Sequence, residues 1–107
     1  MKLVHTVCEF DQDVVSHDIT CVKFSAAWCG PCKQMEAFVE SLEQNYPKVH
    51  FIHVDIDHLQ PLARRYKVES IPSFVALTKD KKVQARFVGA NKEGLENFIL
   101  RNFIFQE

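Results

Sequence analysis

The chain has no block of basic residues and no acidic tail. Thirteen Lys and Arg stand against fourteen Asp and Glu, a formal charge of −1 over 107 residues. That balance argues against nucleic acid or an anionic membrane as a partner. No apolar run approaches the roughly 20 residues of a membrane span. The opening "MKLVHTVCEFDQD" is broken by His5, Thr6 and Glu9 and lacks the apolar h-region and small-residue cleavage site of a secretory signal. A soluble, cytoplasmic protein is therefore expected, a setting where structural disulfides are rare and a close cysteine pair is catalytic or metal-binding. Repeats, linkers and low-complexity segments are missing too, so residues 1–107 read as a single domain, expected to act as a monomer.

What is present is a folding pattern. Hydrophobic residues make up 47% and charged residues 25%, enough apolar side chain for a core. Residues 3–7 read as a short edge strand, followed by a helix starting near Asp11 with Val14 and Val15 on its apolar side. "ITCVKFS", residues 19–25, has the near-continuous apolar, β-branched composition of a central strand covered on both faces. After Pro31, the residues Met35, Phe38, Val39, Leu42 and Tyr46 fall on one face of a helix that Pro47 stops. "VHFIHVDI" is a strand with Val49, Phe51 and His53 on one face, and "LQPLARRYKV" a short helix with Pro61 in its first turn. "IPSFVALT" and "KVQARFVG" flank the polar turn "KDKK" as a hairpin, and "NKEGLENFILRNFIF" closes the chain as a helix capped by Asn91. The buried face of that helix is marked by Leu95, Phe98, Ile99, Asn102 and Phe103, Asn102 being the polar exception, and Phe105 is expected to be partly exposed. Strands alternating with helices, then a hairpin and a last helix, predict an α/β fold with a central mixed sheet.

Cys29 and Cys32 lie where the buried strand gives way to the long helix. Only a thiolate attacks a disulfide, and a helix N-terminus stabilises negative charge through its free N–H groups and dipole. Cys29, at the helix start, is the candidate nucleophile with lowered pKa and greater exposure. Cys32, one turn in, is the less accessible thiol that displaces a mixed disulfide. Pro31 stiffens the first turn and Gly30 lets a substrate backbone come close. The competing reading of C-x-x-C is half a zinc site. It needs two more ligands at matching spacing, and neither Cys8 and Cys21 nor His53 and His58 supply them, so no metal is expected.

"FSAAWCGPCK" resembles the active-site segment of the thioredoxin family. The similarity runs along nearly the whole chain, through "VDID", "YKVESIPSF" and "FVGANKEGLE". The resemblance implies the thioredoxin fold: a central five-stranded mixed sheet flanked by four helices. It implies a protein-disulfide reductase in which Cys29 and Cys32 cycle between dithiol and disulfide, with Trp28 beside them. By position, Pro72 resembles the family's cis-proline, preceded by Ile71, and Val88, Gly89 and Ala90 resemble the apolar loop that completes the docking patch. The implied partners are an NADPH-dependent thioredoxin reductase and disulfide-bearing proteins such as peroxiredoxins, methionine sulfoxide reductase and ribonucleotide reductase. The chain itself needs no cofactor. The alternative, from another class, is a redox-gated or structural binding module. An oxidase or isomerase is disfavoured by Pro31.

Two positions depart from the family. Where relatives bury an acid, six residues before the first active cysteine, this chain has Lys23, and His53 lies opposite. An amine there either keeps its charge by reaching water or a carboxylate such as Asp55 or Glu36, or is rendered neutral by burial. Lys23 and His53 are thus candidate modulators of the cysteine pKa values, with His53 expected to be neutral. Cys21 reads as a buried, inert residue and Cys8 as a near-surface thiol open to modification. His5, His17, His50 and His58 read as solvated.

Overall fold

The computed structural model describes residues 1–105. Five strands and four helices follow in the order β1 (Lys2–Leu3), α1 (Val7–Val15), β2 (Ile19–Ser25), α2 (Gly30–Asn45), β3 (His50–Asp55), α3 (Gln60–Arg65), β4 (Ser73–Thr78), β5 (Val83–Val88) and α4 (Lys92–Ile99). The sheet order is β1-β3-β2-β4-β5. β1, β3 and β2 run parallel, and β4 and β5 are antiparallel to their neighbours. This is the thioredoxin fold expected from the sequence.

The period-two alternation of β2 sends its side chains into two separate cores. Val22 and Phe24 join Phe10, Val14, Ile52, Val54, Leu62, Val75 and Leu77 beneath α1 and α3. Cys21 joins Met35, Val39, Leu42, Phe51, Phe74, Leu95 and Ile99 beneath α2 and α4. Gly94 makes the second packing possible. A Cβ there would sit 2.7 Å from the Phe87 ring, so only glycine lets α4 lie this close to β5.

Three boundaries differ from the sequence reading. The first strand is only two residues long, because Val4 already turns into the core and its N–H bonds to the His53 carbonyl at 3.0 Å. The first helix starts at Val7, not near Asp11. Thr6 caps it by accepting the Glu9 N–H at 3.0 Å, and the Glu9 carboxylate accepts the His5 N–H at 2.7 Å. At the other end, α4 widens into a π-helical turn over Leu100–Ile104. The Asn102 side-chain amide donates to the Phe98 carbonyl at 2.9 Å, and the Phe105 N–H closes the wide turn on Leu100 at 2.7 Å. Phe105 itself is exposed.

Candidate active site

The two cysteines sit at the C-terminal end of β2, where the chain leaves the sheet and enters α2. They form a disulfide with Cα atoms 5.3 Å apart. Cys29 is the N-cap of α2. Its Sγ accepts the Cys32 N–H at 3.2 Å, so one of the helix's unpaired donors points at the sulfur. Pro31 occupies the first turn, where its missing N–H costs nothing. Gly30 and Pro31 are exposed.

The expected difference in exposure between the sulfurs is small in this disulfide state. Cys29 is 4% exposed and Cys32 2%. Cys29 is covered because Ala26, Ile56 and Ile71 pack around the pair. Its Sγ lies 4.0 Å from the Ile71 carbonyl oxygen, and the Ile71–Pro72 bond is cis.

Several of the apolar residues named for docking are open to solvent. Trp28 is 67% exposed and Val88 48%. Ile71 is half-buried, Pro72 is buried beneath, and Ala90 is exposed. Gly89 links the segments. Its N–H donates to the Pro72 carbonyl at 2.9 Å, and its φ of +115° is a conformation that side chains other than hydrogen resist. Of the residues named for the docking patch, Trp28, Gly30 and Pro31 adjoin the cysteines in the chain, Ile71 packs on them, and Pro72 is tied to Gly89, which Val88 and Ala90 flank. One residue the sequence reading did not single out belongs with them. Asp57 accepts the Trp28 indole N–H at 2.8 Å and fixes the ring's orientation. The signal lay in "VDID", whose second acid is the second residue past the end of β3.

Lys23 is buried, 3% exposed, and pairs in register with His53. The two open into a cavity of about 220 Å³ lined also by Met1, Glu36, Glu40 and Glu43. Glu36 lies one turn beyond Cys32 on α2. Burial lowers the Lys23 pKa, and Glu36, Glu43 and Glu40 pull it back up. Burial also lowers the His53 pKa, and the Lys23 charge lowers it further, against Asp55 and Glu36. Both effects favour the neutral imidazole, the form expected from the sequence. Its Nε2 is held by the Ser25 hydroxyl. Of the two carboxylates offered to Lys23 beforehand, Glu36 lines its cavity and Asp55 does not.

The other cysteines match expectation: Cys8 is exposed and Cys21 buried, with burial pushing the Cys21 thiol far up. The histidines do not all match. His17 and His50 are not freely solvated. They stack on each other and both engage Asp13, because the C-terminal turn of α1 comes down on the first residue of β3. His5 and His58 are exposed, with the His58 ring against the His5 carbonyl at 3.1 Å.

Comparison with known proteins points the same way as the geometry. The family model for thioredoxin matches residues 1–101. A thioredoxin of Ophiophagus hannah is 39% identical over 101 residues, covering 92% of this chain and 95% of the relative. Among solved structures, thioredoxin of Fasciola hepatica superposes with a TM-score of 0.88 at 34% identity, covering 95% of this chain and 99% of that one. A chain from a structural study of thiol resolution in a yeast mitochondrial 1-Cys peroxiredoxin via glutathione and thioredoxin systems superposes at 0.84 with 32% identity, over 92% of each chain.

Proposed function

We infer the workings of this site from one premise: the chain belongs to the thioredoxin family and is a thiol–disulfide oxidoreductase that reduces protein disulfides by dithiol–disulfide exchange through Cys29 and Cys32. The observation that carries the residue roles is the Cys29 sulfur at the α2 N-cap, accepting the Cys32 N–H and facing the Ile71 carbonyl, with the exposed Trp28 next to it in the chain. The Cys29 thiolate attacks a substrate disulfide. One substrate sulfur leaves as a thiolate, and a mixed disulfide forms. Cys32 then gives up its proton and attacks the Cys29 sulfur. The second substrate sulfur leaves, and the Cys29–Cys32 disulfide closes. Two electrons have passed to the substrate. The Cys32 N–H, already directed at the Cys29 sulfur, offsets negative charge there without rearrangement.

The substrate lies as an extended segment along Ile71, pairing with its backbone, while Trp28, Pro72, Val88, Gly89 and Ala90 exclude water around the mixed disulfide. Gly30 gives that segment room, since nothing lies within 4 Å of where a Cβ would be. Lys23 supplies a cation beneath the site where relatives carry an acid, with Glu36 as the nearby carboxylate. Its charge favours the thiolate forms and so the reduced state, while His53 stays neutral beside it.

Disulfide-bearing protein substrates and a reductase follow from the family. The specific partners we propose are an NADPH-dependent thioredoxin reductase on the donor side, and peroxiredoxins, methionine sulfoxide reductase and ribonucleotide reductase on the acceptor side. The likeness to a chain studied with a peroxiredoxin supports the first of these acceptors. We further propose a cytoplasmic, monomeric protein whose 107 residues form one domain. Among the described residues no helix is long and apolar enough to cross a membrane.

The test is NADPH oxidation in a coupled assay with thioredoxin reductase and insulin. Saturable turnover that Cys29→Ser abolishes is the expected result. A disulfide that cycles with dithiothreitol yet passes no electrons to insulin would place the chain among redox-gated binding modules instead.

A further inference from the structure

At the end of the sheet away from the disulfide, Asp13, His17 and His50 bring three donor atoms within 4.8 Å of one another. Asp13 lies in the last turn of α1, and His17, two residues past the helix end, is folded back on it by its N–H to the Val14 carbonyl and its ring to the Asp13 carbonyl. His50 opens β3, where it pairs with Thr20 in the register that five residues later brings Ser25 opposite Asp55 beside the active site. The cluster is therefore about 16 Å from the reactive end of β3, at roughly 3.3 Å per residue. The fold, not local sequence spacing, assembles it.

We propose that Asp13, His17 and His50 form a binding site for a first-row divalent ion of the zinc type, with water as the fourth ligand. Two imidazole nitrogens and one carboxylate oxygen are a donor set that suits zinc, and three protein ligands plus water are a normal coordination shell for it. Asp13 Oδ2 and His50 Nε2 are already 2.5 Å apart, close enough for one ion to bridge them after a small opening. His17 Nδ1 is 2.9 Å from the Asp13 carbonyl oxygen, so Nδ1 carries the proton and Nε2 keeps its lone pair for a ligand. The Asp13 side chain is 10% exposed and that of His50 23%, so the donors are shielded but reachable. Lys2, 3.3 Å from Asp13 Oδ1, is the cation an entering ion would displace. The rings of His17 and His50 stack at 3.6 Å with 9° between their planes. For both lone pairs to converge on one ion, the planes must tilt apart, and that tilt is the structural signature of loading. The ion would pin the end of α1 to β3.

The experiment uses the oxidised protein in a Cys8→Ser background, so that no accessible thiol competes. Zinc chloride is titrated calorimetrically, and cobalt chloride is followed by its visible absorption. The expected result is one ion per chain at micromolar affinity, a cobalt spectrum of low-symmetry N/O ligation, a higher melting temperature with zinc, and loss of the His17–His50 ring stacking by NMR. His17→Gln and Asp13→Asn should each weaken binding about tenfold or more, and Lys2→Ala should strengthen it. Two variants of different chemistry guard against one that fails to fold. Absence of saturable binding, or binding that neither His17→Gln nor Asp13→Asn weakens, overturns the proposal and leaves the cluster an ion pair with a stacked ring.

Discussion

The two faces of β2 carry the same strand into different environments. On the face under α1 and α3, Val22 and Phe24 meet Ile52, Val54, Val75 and Leu77, all apolar. On the face under α2 and α4, Cys21 begins in an apolar cluster, but Lys23 and Ser25 follow it toward the active site, with His53 beside them. One face supplies cohesion from end to end. The other surrenders it progressively as it nears the disulfide. A residue change on the first face should therefore be read in stability, and one on the second in chemistry.

The largest expected effect lies at the end of the second face. Cys29→Ser should lower insulin reduction by on the order of 10³-fold or more, with the melting temperature little changed from that of the reduced parent, because it removes the attacking sulfur. Cys32→Ser should instead accumulate mixed disulfides with substrate, visible on non-reducing gels. If Cys32→Ser rather than Cys29→Ser lost the ability to form them, the two roles would be reversed.

Next in size is Phe24→Ala on the apolar face. Its ring is fully buried and lies 6.2 Å from Tyr66, so truncation should cost about 3–5 kcal/mol in urea unfolding. Its neighbour provides the contrast. Lys23→Met keeps the stem and removes an amine whose charge burial disfavours. It should leave stability within about 1 kcal/mol of the parent or raise it. A loss as large as that of Phe24→Ala would show that the amine makes a strong interaction in its cavity.

Lys23→Asp sharpens the chemical half of the comparison. Exchanging a cation for an anion disfavours the thiolates. The cysteine titration, followed at about 240 nm, should move up by up to about one unit, and the potential should become more reducing by roughly 10–30 mV. Unchanged values would make Lys23 a bystander.

The smallest effect concerns His53. Its pKa is lowered in the folded protein from 6.5, first by burial and then by Lys23. Above pH 6.5 it is neutral folded or unfolded. As the pH falls below that value, the unfolded chain takes up a proton the folded one resists, and stability declines until the folded pKa is passed. His53→Gln, which keeps a polar partner for Ser25, should flatten the slope between pH 6.5 and 5 by less than about 1 kcal/mol. An identical slope would mean that another group sets it.

Much of this was legible in the sequence because it depends on local pattern. β2 announces its burial on both faces in seven residues, and W-C-G-P-C carries its own helix start. The features that escaped are of two kinds. Some were local but ambiguous: "TVCE" contains the Thr6–Glu9 cap, yet Asp11 competes as a start, and only the folded chain shows which hydrogen bonds form. The widened turn after α4 depends on where one amide, Asn102, sends its hydrogen bond. Others are matters of three-dimensional proximity. Nothing near Asp13 in the chain signals His50, and nothing near Trp28 signals Asp57, because sheet register and helix docking bring them together. Lys23 falls between these cases. Its position was evident, but the glutamates lining its cavity come from α2, across the sheet–helix interface.

The close covering of Cys29 has a consequence for traffic. The residue is 4% exposed, with the Ile71 carbonyl alongside its sulfur and the exposed Trp28 next to it in the chain. Whatever delivers electrons and whatever receives them must come to that same small opening, one at a time. The protein is a turnstile. Donor and acceptor queue for it, so an excess of one acceptor slows delivery to every other, and the flow of reducing power is apportioned by who arrives most often.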